Sequence, residues 1–242
     1  MAKPLKLVVF DCDGTLVDSQ HMILAAMHEV YGVHAMPVPD RETLLSVIGL
    51  SLPQAFERLG RGAADFPVAS MCDAYRASFQ AMRAAQMHHL EPLYPGAAQA
   101  VTALARRENV VLGIATGKSQ RGVRNVLARH GLLEHFITIK TADDAPSKPD
   151  PGMVLAAMQE AGVQARDTVV VGDTVYDIAM ARAAGAAAIG VLSSGRSARP
   201  GRRIRAARGV CRARTGARQI VDTMTHGNCP NAPQFLNVQC TR

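Results

Sequence analysis

The chain has no Cys-x-x-Cys pair, and its five cysteines are scattered over 242 residues. That is too few for a disulfide framework, and without paired spacing they do not suggest a zinc cage. No stretch reaches 18 consecutive apolar residues, which excludes a membrane-spanning helix read from sequence. The N-terminus holds one short apolar run, Leu7-Val8-Val9-Phe10, cut at once by Asp11 and Asp13, so a secretory leader is not expected. No internal repeat is present. These absences point to a soluble cytoplasmic protein. The 48% of hydrophobic residues is enough to bury a core, in one large domain or two small ones.

Acids are nearly missing from one segment only. Residues 193–242 hold 10 of the 27 Lys+Arg and a single acid, Asp222, giving +9, whereas residues 1–192 carry −2. The formal charge of +7 therefore belongs to the tail and not to the folded body. Such charge normally implies a polyanionic partner. Here no aromatics are interleaved with the arginines, so a nucleic-acid partner is not expected. The tail has little apolar periodicity and is expected to be disordered or weakly packed. The abrupt change in composition at about Ser193–Arg199 also fits an altered reading frame.

Continuous β-prone runs lie at Leu7–Phe10, Val110–Ala115, Phe136–Lys140, Thr168–Val171 and Ala187–Leu192. Strands of this kind suit a parallel sheet buried on both faces. Helical patterns lie between the later runs. Ser119 is a candidate N-cap for a helix with Val123, Val126, Leu127 and His130 on one side. Asp150 is a candidate N-cap with Pro151 at the first position and Gly162 past the end. Asp173 or Thr174 opens a further helix that closes at Gly185. Alternation of this kind predicts an α/β fold, a Rossmann-like parallel sheet with crossover helices. Residues 18–92 break the rhythm and read as helices only, roughly 18–31, 42–48, 52–60 and 69–88. The expected organisation is a core of 1–17 and 93–192, an inserted all-helical cap of 18–92, and a basic tail of 193–242. The hinges fall near Thr15–Ser19 and Glu91–Gly96.

Asp11 and Asp13 stand two apart just past a buried strand, where extended side chains point the same way. Paired carboxylates repel unless a cation or proton sits between them. Gly14 lets the chain turn, and ligands of open α/β sheets bind at carboxyl ends of strands. A solvated Asp turn is the plainer reading. An EF-hand is excluded, because the twelfth position from Asp11 is Met22 and not a bidentate Glu. Thr116-Gly117-Lys118-Ser119 brings a hydroxyl, a glycine N–H and a helix start together, an arrangement suited to phosphate. A nucleotide P-loop is excluded, because Gly113 lies one residue too close to Gly117. Lys148 sits among Pro146, Pro149 and Pro151, a stiff loop able to hold one ammonium at a fixed point. Asp173 and Asp177 share the first-turn face of a helix, where acids also complement the helix dipole. Their place at a strand end near Asp11 suits a hard cation such as Mg²⁺.

The order of these fragments is more specific than any of them. Asp-x-Asp-Gly-Thr, a strand-end Thr-Gly, a Pro-flanked Lys and Gly-Asp-x-x-x-Asp in sequence resemble the haloacid dehalogenase superfamily over residues 5–192. The likeness is to its phosphatase branch with a helical cap, and to phosphoglycolate-phosphatase-like members in particular. The resemblance implies that Asp11 is the nucleophile, becoming an aspartyl phosphate, and that Asp13 protonates the leaving alcohol and then activates water. It implies that Thr116 and the Gly117 N–H hold the phosphoryl oxygens and that Lys148 neutralises the Asp11–phosphate pair. Mg²⁺ would be bound by Asp11, Asp13 through its backbone carbonyl, and Asp173, with Asp177 as ligand or support. The expected partner is a small phosphorylated metabolite, and the expected state a monomer or homodimer. A hexose-phosphate mutase, a pyrophosphatase and a non-catalytic phospho-ligand binder stay open as alternatives. Within the cap, the loop Ile48–Leu52 and the side chains of Arg76, Arg83, His88 and His89 are candidate substrate contacts. Cys12 is expected to point away from the acids into apolar packing.

Overall fold

A computed structural model describes residues 4–191 and the short segment Val210–Ala213. The five expected strands form, each within one residue of its expected bounds: β1 (Lys6–Phe10), β2 (Val110–Thr116), β3 (Phe136–Thr141), β4 (Thr168–Gly172) and β5 (Ala187–Val191). All pair in parallel, in the order β3-β2-β1-β4-β5. A sixth strand, β6 (Val210–Ala213), adds to the β5 edge in parallel register. This short strand is an addition to the five expected ones. Val210-Cys211 is a short β-prone pair, and the open edge of β5 offers unpaired backbone groups to it. The rest of the tail, with the expectations attached to it, lies outside the described residues.

Alternation along β1 splits the core in two. Leu7 and Val9 face a layer with α7 (Gly152–Ala161) and α8 (Val175–Ala183), packing on Met153, Val154, Ala157 and Ala181. Val8 and Phe10 face α5 (Ala97–Ala105) and α6 (Gln120–Arg129), packing on Val101, Leu104, Val123 and Leu127. Both faces of the sheet are thus covered, as near-continuous apolar strands require. The expected caps hold with one shift. Ser119 Oγ accepts from the Gly122 N–H at 3.2 Å, and Thr174 and Asp177 form a reciprocal capping box on α8. Asp150 accepts from the Gly152 N–H at 2.8 Å, but α7 itself begins one residue later than expected, with Pro151 outside it.

Residues between β1 and α5 form α1 (Gln20–Val33), α2 (Arg41–Leu45), α3 (Leu52–Leu59) and α4 (Val68–Ala84). The second is shorter than expected, and a separate 3₁₀ turn, His88–Leu90, replaces the expected end of the fourth. Their inward faces make an apolar cluster of their own around Met22, Val30, Leu44, Phe56, Met71 and Phe79. The chain enters and leaves this insert side by side. Val17 and Leu93 form an antiparallel bridge, the Asp18 N–H donates to the Pro92 carbonyl at 2.8 Å, and the Tyr94 N–H donates to the Leu16 carbonyl at 3.0 Å. Among the described residues no helix is long and apolar enough to cross a membrane.

Candidate active site

β1 and β4 are neighbours in the sheet, so their carboxyl ends put Asp11 and Asp173 side by side. Asp11 continues the ladder for one more bond, its N–H donating to the Val171 carbonyl at 2.8 Å. Ligand oxygens of Asp11, Asp173 and Asp177 all lie within 4.8 Å of one another, and all three residues are buried. Lys148 is fully buried, its Nζ 2.7 Å from Asp11 Oδ1 and 2.6 Å from Asp177 Oδ1. Asp177 is used up structurally, since its Oδ2 accepts from the Thr174 N–H at 3.0 Å and hydroxyl at 2.6 Å. The Thr15 hydroxyl donates to Asp173 at 3.3 Å.

Three buried carboxylates face one ammonium. Burial, and then Asp177 and Asp173, push the Asp11 carboxyl well above the usual carboxylate range, although Lys148 pulls the other way. Burial also disfavours the Lys148 charge, but Asp11 and Asp177 outweigh it and hold the ammonium above the usual lysine range. Asp11 Oδ2 accepts no hydrogen bond. Two uncompensated negative charges, oxygen donors only, and an orphaned carboxylate oxygen fit a hard divalent cation. Gly14 completes the nest. Its φ is +88°, and a Cβ there would lie 2.5 Å from Asp173 Oδ2, so no other residue lets the loop approach that carboxylate.

Asp13 does not share that cation position. The strand geometry that aligns residues two apart ends at Phe10, and the amides of Leu16 and Val17 turn back onto the Cys12 carbonyl. The Asp13 carboxylate is instead held by Lys118 Nζ, at 2.7 and 3.0 Å from its two oxygens, and by the Ser19 hydroxyl at 2.5 Å. The repulsion expected of the two acids is relieved separately, since each has its own lysine. The Asp13 side chain is not part of the carboxylate group that could hold a metal ion. Cys12 is fully buried in the apolar cluster that contains Phe10.

Thr116 ends β2 fully buried, its Oγ accepting from the Lys118 N–H at 3.3 Å. Gly117 lies against the insert. A Cβ on it would stand 2.4 Å from the Leu50 carbonyl and 2.8 Å from that of Gly49. The loop Ile48–Leu52 thus sits over the core, tied down where the Ser51 N–H donates to Ser147 Oγ at 2.7 Å. Between insert and core lies a cavity of about 750 Å³. Ile23, Met27, Val47 and Phe79 are among its apolar lining, and Arg76, Arg83, Lys118 and Arg121 supply its cations against Asp13 and Asp143. Arg76 and Arg83 are therefore placed as the sequence suggested. His89 is exposed and does not line the cavity, and the His88 side chain lies outside the described part of the structure.

Sequence reasoning gave Lys118 no task and overlooked Glu91. Lys118 carried a signal, one residue past a strand-end Thr-Gly. Glu91 carried none, because nothing beside it in sequence foretells that a carboxylate before Pro92 is fully buried. Its Oε1 is 3.3 Å from Lys118 Nζ, and its Oε2 is 3.2 Å from Arg129 and 3.8 Å from Arg83.

Residues 8–191 match the family model described as haloacid dehalogenase-like hydrolase. The chain is 37% identical over 187 residues to the probable phosphatase IndB of Dickeya dadantii, covering 76% of this chain and 80% of that protein. It is 32% identical over 207 residues to a phosphoglycolate phosphatase of Rhodospirillum rubrum, covering 81% and 82%. A solved hydrolase from Pseudomonas syringae superposes with a TM-score of 0.72 at 26% identity, covering 90% of this chain and 96% of that one.

Proposed function

The chain belongs to the haloacid dehalogenase-like hydrolase family, and from that premise we propose that it is a Mg²⁺-dependent phosphatase that cleaves a small acidic phosphomonoester, of the 2-phosphoglycolate kind, through an aspartyl-phosphate intermediate. The observation that carries the reading is the buried group of Asp11, Asp173 and Asp177 with Lys148 at the carboxyl ends of β1 and β4. The phosphoglycolate phosphatase among its relatives supports the substrate class.

In this reading an Asp11 oxygen attacks phosphorus while the bond to the leaving oxygen breaks, and Asp13 gives that oxygen its proton. Asp13 then takes a proton from water, whose oxygen attacks the same phosphorus and breaks the aspartyl bond. Inorganic phosphate leaves, and Asp11 and the protonated Asp13 are restored. Covalent catalysis divides one difficult displacement into two easier ones. Thr116 and the Gly117 N–H orient the phosphoryl oxygens, and Lys148 offsets the anion that meets Asp11. Asp11, Asp173 and the Asp13 carbonyl, with Asp177 in support, would hold Mg²⁺, which would neutralise charge on the crowded oxygens.

The division of labour belongs to the same proposal: residues 1–17 and 93–192 carry the chemistry, and residues 18–92 act as a cap that selects the ester. Arg76, Arg83 and Arg121 line the cavity beside Lys118, a cation excess that suits a second anionic group on the leaving alcohol. The test is phosphate release from a panel of phosphorylated metabolites with Mg²⁺, including 2-phosphoglycolate and larger acidic monoesters that the cavity of about 750 Å³ would admit. Acidic monoesters are expected to give the highest kcat/KM. Hydrolysis of neutral-alcohol phosphates with equal efficiency would overturn the substrate class, and no phosphate release from any member would overturn the reading.

A further inference from the structure

Glu91 is a fully buried carboxylate in the second linker, outside the constellation that the proposed chemistry uses. It meets cations from three separate elements. Arg83 comes from the last turn of α4 in the insert and Arg129 from the last turn of α6 in the core. Lys118, from the loop before α6, is the third. The Glu91 carbonyl also bonds His130 Nε2 at 2.9 Å. Lys118 is in turn the residue that grips both oxygens of Asp13. Lys118 carries a flexible four-carbon stem, which one carboxylate alone pins poorly. Two anions, Asp13 and Glu91, with the Phe79 ring centroid 5.5 Å from Nζ, hold it in one place.

Building on the phosphatase reading, we propose that Glu91 is a positioning residue: by fixing Lys118 it fixes the orientation of the Asp13 carboxylate, and it does so from the joint between insert and core. Glu91 does not reach the substrate. With an ester that carries no second anion, its contribution falls on turnover and not on substrate capture, because the groups that would hold the phosphoryl oxygens, Thr116, Gly117 and Lys148, are not among its ion-pair partners, Lys118, Arg83 and Arg129.

The experiment uses the full chain with Mg²⁺ and p-nitrophenyl phosphate, reading kcat, KM and melting temperature. Glu91→Gln is expected to lower kcat about tenfold to a hundredfold with KM within about twofold. Glu91→Asp keeps the charge and is expected to recover part of that loss. Arg129→Met removes a partner of Glu91 that does not touch Asp13, and is expected to lower the melting temperature while kcat stays within about twofold. If Glu91→Gln alone does not fold, Glu91→Gln/Arg129→Met removes a cation with the anion, and the same kcat loss is expected. A folded Glu91→Gln protein, or the double variant, with wild-type kcat would overturn the proposal. So would an equal kcat loss in Arg129→Met, which would mark a merely structural role. If the wild-type chain releases no phosphate while folded, the phosphatase reading falls and this inference with it; normal wild-type turnover with unimpaired Glu91 variants removes Glu91 alone.

Discussion

Two buried charge clusters lie on either side of Cys12, and their balance is opposite. Around Asp11 three carboxylates surround one ammonium, and around Asp13 two carboxylates, its own and that of Glu91, meet Lys118, Arg83 and Arg129. The first cluster lacks positive charge and fits a divalent cation. The second has positive charge to spare and opens onto the cavity, where it favours an anion. The chain thus sets two acids one residue apart in opposite electrostatic surroundings and gives each its own lysine. Burial of like charges raises Asp11, whereas Glu91 is treated oppositely: burial would raise it, but Lys118, Arg83 and Arg129 prevail and hold it below the ordinary glutamate range.

The sharpest way to break this contrast is Asp11→Asn, which keeps the shape but removes the proposed nucleophile. Turnover of p-nitrophenyl phosphate should fall by about a thousandfold or more with the circular dichroism spectrum unchanged. A near wild-type rate would shift the nucleophile elsewhere. Next is metal removal. Dialysis against EDTA should lower activity by at least about a hundredfold and added Mg²⁺ should restore it, whereas turnover that survives thorough chelation would show that Lys148 alone balances the first cluster.

Stability separates the two lysines. Lys148→Met leaves three buried carboxylates with no protein cation and should cost roughly 3–5 kcal/mol in urea unfolding without metal. Lys118→Met should cost less, because Arg83 and Arg129 still face Glu91. Equal losses would erase the distinction.

The Glu91 shift adds a pH dependence with a definite sign. A carboxyl whose folded value lies below its ordinary 4.5 contributes fully above that pH, and the contribution is lost as pH falls through the folded value. The melting-temperature gap between wild type and Glu91→Gln should therefore be steady from about pH 5 upward and narrow in acid. A gap that widens in acid would contradict the charge assignment. The smallest effect expected is that of Ser119→Ala, about 1 kcal/mol of stability from the lost α6 cap, with no preferential effect on either cluster.

The first cluster was legible in the sequence and the second was not, for a physical reason. Asp11, Thr116 and Asp173 follow apolar strands directly, so locating the strands located them at one end of a sheet. Lys148 stood out through its prolines. The orientation of Asp13 could not be read, because it depends on a turn that ends the strand's alternation and on Lys118 arriving from another element. Burial of Glu91 depends on Lys118 and on Arg83 and Arg129, which lie in different helices, and no local pattern encodes such a meeting. The same limit explains the helical insert. Its four helices were expected, but the early end of α2, which frees the residues leading to the loop over Gly117, was not.

The paired entry and exit at Val17 and Leu93 have an architectural consequence. Everything between them leaves and rejoins the core at one seam, so the sheet never has to be re-threaded when that material changes length. A replacement insert of any size needs only two ends as closely spaced as these, which makes the helical part of the molecule exchangeable while the sheet stays fixed.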